Sequence, residues 1–145
     1  GGVVQEGRMG EVRRRPRTPY VASFVGLNLF TGIVAHEEGH TVVRAADGEV
    51  HAMKKDLPEG TTALATIHPR AISLSLGRPL GSPRNVRKGA IDSIDVEGDA
   101  VRVGLGTKPP LTVEITAAAL VDLGLSVGRE VWVSFKAAEV DVYPR

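Results

Sequence analysis

Ser82-Pro83-Arg84-Asn85 and Ser134-Phe135-Lys136-Ala137 bracket the stretch whose reading decides the fold. Between them, Val101, Val103 and Leu105, and then Val131 and Val133 leading to Phe135, put apolar residues at every second position. That period belongs to strands with one buried face, so these six residues are expected in a β core. Gly89-Ala90-Ile91, Glu114-Ile115-Thr116 and the turn Leu123-Gly124-Leu125-Ser126-Val127-Gly128 complete the pattern. Thr116 stands where it can cap a short helix over residues 117–122, which Gly124 would end.

Over residues 82–145 these positions, in this order, resemble a Mop domain, a small β-barrel unit that binds molybdate or tungstate. In Mop domains the residues matching Ser82, Arg84 and Lys136 contact the oxyanion, and neighbouring backbone amides add to them. The resemblance therefore implies an oxyanion-binding set of Ser82, Arg84, Asn85, Lys136 and Ala137. The residue types suit a tetrahedral dianion: Arg84 offers a planar fork of donors, Lys136 a compact charge and Ser82 a short hydroxyl. On composition alone, Arg84 and Lys136 are simply two of 18 basic residues on a solvated surface. One departure is Pro83, where alanine is usual in the family; proline removes a backbone donor there.

The first half of the chain repeats the second. Asn28 to Gly32 aligns with Asn85 to Gly89, Thr41 to Arg44 with Asp99 to Arg102, and Gly60 to His68 with Gly128 to Lys136. The offset grows around residues 115–122, where the extra helix is expected. Two related barrel units follow from this self-similarity. At the positions of Ser82, Arg84 and Lys136 the first unit carries Val25, Leu27 and His68. Its contact set is therefore depleted, and it resembles the degenerate TOBE-type half of ABC-transporter ATPases. Strands are expected at residues 30–35, 41–45, 49–53, 62–67 and 71–76, with Asp47-Gly48 as a hairpin turn.

Residues 1–27 read differently. Residues 2–7 suggest a strand and 9–15 a basic helix stopped by Pro16, with a second helix starting at Thr18-Pro19. Pro16-Arg17-Thr18-Pro19-Tyr20-Val21-Ala22-Ser23-Phe24-Val25-Gly26 resembles the tail of an ABC ATPase domain. The sequence contains no Gly-x-x-x-x-Gly-Lys-Ser/Thr phosphate loop, so this chain is not expected to be an enzyme.

The expected organisation is thus 1–27 as ATPase tail and linker, 28–76 as a TOBE-type barrel unit, 77–83 as linker and 84–145 as the Mop-type unit. The fold class is mainly β: two OB-like units with a short N-terminal helical arm. The 145 residues carry a net charge of +1, 4% aromatics and no cysteine. That balance gives no reason to expect nucleic acid as a partner, and excludes disulfides and thiolate metal sites. No apolar run approaches the length of a membrane span and residues 1–6 do not read as a secretory leader, so a cytoplasmic chain is expected.

The remaining candidates are weaker. His36 and His40 bracket a hairpin turn, where i, i+4 spacing does not bring two imidazoles together, so no metal site is expected. His51 is expected on a strand's solvent face. The resemblance implies an oxyanion-sensing regulatory region of a molybdate or tungstate importer's ATPase subunit, with no cofactor. Its partners would be a second copy across a dimer interface and, through an ATPase domain, membrane-spanning permease subunits. The chain would lie at the inner face of the membrane without inserting, and bound anion would feed back to inhibit transport. The other reading is a structural TOBE dimerisation module of an importer for another solute.

Overall fold

Thr18 begins the described helix α1 (Pro19–Val25) by accepting the Val21 N–H on its Oγ1 at 3.2 Å, with Pro19 in the first turn where a missing N–H costs nothing. Gly26 ends it in the left-handed conformation at φ 78°. The computed structural model describes residues 15–81, 83 and 85–145. The expected strand at 2–7, most of the expected helix at 9–15, and Ser82 and Arg84 lie outside the described residues.

Two five-stranded antiparallel sheets follow. The first unit supplies β1 (Asn28–Glu37), β2 (His40–Ala45), β3 (Gly48–Met53), β4 (Thr62–Ile67) and β5 (Ser73–Ser75). The second supplies β6 (Asn85–Glu97), β7 (Ala100–Leu105), β8 (Leu111–Thr116), β9 (Glu130–Phe135) and β10 (Asp141–Pro144). Helix α2 (Ala117–Leu123) sits between β8 and β9, capped by Thr116 and closed by Gly124, as the sequence predicts. The stretch expected as a strand at 71–76 is shorter than anticipated. Pro69 begins a 3-10 turn, Pro69–Ala71, which leaves only three residues for β5.

The sheets run β10-β4-β1-β2-β3 and β5-β9-β6-β7-β8. The fifth strand of each unit has crossed to the other. Ser73 pairs with Ser134 in the second sheet, while Asp141 pairs with Thr66 in the first. The exchange is symmetric, and it satisfies the outer ladder of β4 and of β9 with a strand from the opposite unit. Pro144 falls on an edge strand, where the missing N–H breaks no ladder.

Alternation then builds a shared core. In β1 the side chains of Phe30 and Val34 are buried while Thr31 and Ile33 face outward. All six residues expected in the core from the sequence, Val101, Val103, Leu105, Val131, Val133 and Phe135, are buried. They join Phe30, Val34, Val43, Ala63 and Ile67 in one cluster spanning both sheets. The arm is tied to the exchanged strand: Arg15 grips Asp141 at 3.1 and 3.2 Å, Arg17 donates to the Pro144 carbonyl, and the Tyr143 hydroxyl donates to the Pro16 carbonyl.

Candidate functional site

Pro83 of the first pivot and Ser134, Phe135 and Lys136 of the second line one cleft. Its volume is about 630 Å³, and Gly81 and Pro83 line it from the linker side. Ser134, Phe135, Lys136 and Glu139 line it from the end of β9 and the turn after it, and Ser73 joins from the exchanged strand β5. Two features hold the linker over β9. The Arg78 guanidinium lies 5.4 Å from the centre of the Trp132 ring, a cation–π contact. The Ser75 hydroxyl donates to the Gly77 carbonyl at 2.9 Å.

Lys136 is exposed and forms no ion pair with a carboxylate among the described residues. It precedes a second 3-10 turn, Ala137–Glu139, which carries no side-chain cap. The matching turn of the first unit differs in both respects. There Pro69 replaces Ala137 and has no N–H, and the His68 Nδ1 accepts the Arg70 N–H at 3.2 Å. The first unit's turn is thus satisfied from within, whereas the second unit's turn presents uncapped N–H groups beside a lysine. Ala137 is buried at the base of this turn.

Asn85 is used in a way the sequence did not suggest. It is 2% exposed, and its Oδ1 accepts the His51 N–H while its Nδ2 donates to the His51 carbonyl, both at 2.8 Å. The second Nδ2 hydrogen points to the Phe135 carbonyl at 3.4 Å. Both donors of the amide are thereby engaged within the protein. Asn28, its counterpart in the repeat, does the same to the main chain of Thr112, at 2.8 and 2.9 Å, with Ile67 in the place of Phe135. Each asparagine opens the first strand of its own unit and clasps the third strand of the other. Ser82 and Arg84, the remaining members of the expected set, lie outside the described residues.

Comparison with known proteins shows what the chain is similar to. Residues 81–142 match the TOBE domain. That match runs through the second unit. The chain as a whole is 30% identical over 148 residues to the "Molybdenum import ATP-binding protein ModC" of Mycobacterium tuberculosis, strain H37Rv. It is 33% identical over 148 residues to the "Molybdate/tungstate import ATP-binding protein WtpC" of Pyrococcus abyssi. In both cases the match covers 99% of this chain and 40% of the relative. The chain thus spans about two fifths of these relatives and corresponds to their C-terminal part, not to the ATPase itself. Among solved structures, the cytoplasmic molybdate-binding protein ModG superimposes with a TM-score of 0.69 at 20% identity, covering 81% of this chain and 96% of that one. At that identity the likeness establishes the paired OB-like fold. Among the described residues no helix is long and apolar enough to cross a membrane.

Proposed function

We propose that this chain is the oxyanion-sensing regulatory region of the ATP-binding subunit of a molybdate or tungstate importer. The observation that carries this reading is the cleft that Gly81 and Pro83 line together with Ser134 and Lys136. Lys136, which has no ion pair among the described residues, lines it with Ser73, Ser134 and Glu139; the turn after Lys136 has no side-chain cap, and Ser82 and Arg84 flank Pro83 in the chain. A tetrahedral dianion is matched by such a mixture of cations, hydroxyls and backbone N–H groups. The proposed contacts are Ser82, Arg84, Lys136 and the main chain at Ala137. Asn85, with its amide engaged on the His51 main chain, anchors the start of β6 instead of offering a free side-chain donor.

The relatives, molybdenum and molybdate/tungstate import proteins, and the shared fold of the molybdate-binding ModG support the choice of anion. In this reading two copies of the chain meet through their β units, and the anion bound near the interface favours one arrangement of the ATPase subunits over another. Feedback inhibition of import needs only that difference in affinity between the two arrangements. The permease subunits would be reached through the ATPase domain, at the cytoplasmic face of the membrane.

Titration calorimetry with molybdate, tungstate, sulfate and phosphate tests the proposal. Saturable binding of the first two, with light scattering that gives a dimer, is the expected result. Flat traces for all four anions would overturn it and leave a structural dimerisation module.

A further inference from the structure

Sheet register gathers three metal-ligating side chains at the opposite end of the first unit. Glu37 is paired directly with His40 across β1 and β2. His51 is paired with Val42 across β2 and β3, which makes it the diagonal neighbour of His40 on the same face. One ligand atom from each of Glu37, His40 and His51 lies within 4.8 Å of the others. The His40 Nε2 and His51 Nδ1 are 3.0 Å apart. Two nitrogens bound to one tetrahedral ion at about 2.0–2.1 Å would stand roughly 3.3 Å apart, so this pair is already close to that spacing.

His40 is 7% exposed, and its Nδ1 is buried with no partner among the described residues. The surroundings also fit an ion. Arg44 takes one oxygen of the Glu37 carboxylate. The Glu49 carboxylate lies 3.6 Å from the His51 Nε2, on the side of the ring away from His40, where an orienting carboxylate stands in many metal sites. Glu37, Glu38, His40 and His51 line an open depression of about 530 Å³, which gives an entry path from solvent.

We propose that Glu37, His40 and His51 form a binding site for a borderline divalent metal ion, Zn²⁺ foremost, with a fourth position open to water. Two imidazoles and one carboxylate favour Zn²⁺, Ni²⁺ or Cu²⁺ over the hard ions Mg²⁺ and Ca²⁺, which require an oxygen shell. His36 is not part of the site, because its Nε2 meets the Leu57 carbonyl at 2.6 Å and its Nδ1 meets the Thr41 hydroxyl at 3.2 Å.

The test is titration of the chain, free of any polyhistidine tag, with ZnCl₂ and separately with MgCl₂, followed by calorimetry and thermal melting. One Zn²⁺ per chain, a raised melting temperature and no response to Mg²⁺ are expected. His51→Ala, at a part-buried position, abolishes the binding, and Glu49→Gln weakens it about ten- to hundredfold. His36→Ala leaves it intact. Absence of Zn²⁺ binding by the parent chain, survival of full binding in His51→Ala, or its loss in His36→Ala would each overturn the assignment.

Discussion

The side-chain amide of Asn85 closes two 2.8 Å hydrogen bonds on the main chain of His51, one to its N–H and one to its carbonyl. Asn28 closes the matching pair on Thr112. The two units are therefore fastened by a reciprocal contact between backbone groups that no strand ladder serves. Asn85→Ala leaves a largely enclosed N–H and C=O without partners, and a loss of about 2–4 kcal/mol is expected from the cost of such groups. Asn28→Ala should behave alike. Chemical denaturation of the two variants checks this, and a change under about 0.5 kcal/mol in both would remove the clasp from the account of stability.

Anion binding should separate the two pivots from their counterparts in the repeat. Lys136→Ala and Arg84→Ala are each expected to weaken molybdate binding tenfold to a hundredfold, since a charge-assisted hydrogen bond is worth about 1.5–3 kcal/mol. Ser82→Ala should cost less, as it removes a neutral donor. His68→Ala removes the cap on Arg70, so it should lower stability by about 1 kcal/mol while leaving anion affinity unchanged. Calorimetry on the four variants decides; loss of binding in His68→Ala alone would move the site to the first unit.

Tyr143 gives the fold a sensitivity to strong alkali. Burial of its ring, reinforced by the neighbouring Asp141 carboxylate, pushes the phenol up from its ordinary value of 10.0 to about 12. Between those two values the unfolded chain has released the proton and the folded chain still holds it, so stability falls as pH rises through that window. Below pH 10 the contribution is fully present. Tyr143→Phe should flatten the decline between pH 10 and pH 12 in thermal melts, though at neutral pH it loses the bond to the Pro16 carbonyl. An unaltered alkaline profile in that variant would place the effect elsewhere.

Truncation before Asp141 should damage the first unit more than the second. It removes β10 from the edge of β4 and takes away the partners of Arg15, Arg17 and Pro16. Amide exchange is expected to accelerate at residues 62–67 while residues 132–134, paired on both sides by β5 and β6, keep their protection. Equal loss of protection in both strands would mean that the units unfold as one.

Most of the secondary structure was legible because it rests on local signals. Alternation marked the strands, and Thr18, Thr116 and Gly124 marked helix ends. The repeat gave the correspondence of the units. It could not give the exchange of β5 and β10, since strands of three and four residues carry too little pattern to name their partners. The resemblance put Lys136 in the site, but it carried no sign that the Asn85 amide is engaged by the His51 main chain. An asparagine reads the same in sequence whether its amide faces a ligand or a neighbouring backbone. His51, expected on a solvent face, is part-buried against His40. The Asp47-Gly48 hairpin held that information, because its register sets Val42 opposite His51 and so places His40 diagonally beside it.

The exchanged strand also sets a timetable. β4 is complete at Ile67, but the strand that covers its outer ladder begins only at Asp141, about 74 residues later. At ordinary translation rates of about 5–20 residues per second, that ladder waits on the order of 4–15 seconds for its partner during synthesis. For that interval the nascent first unit carries a bare edge, open to pairing with another chain, and its sheet can be finished only after nearly all of the second unit has been made.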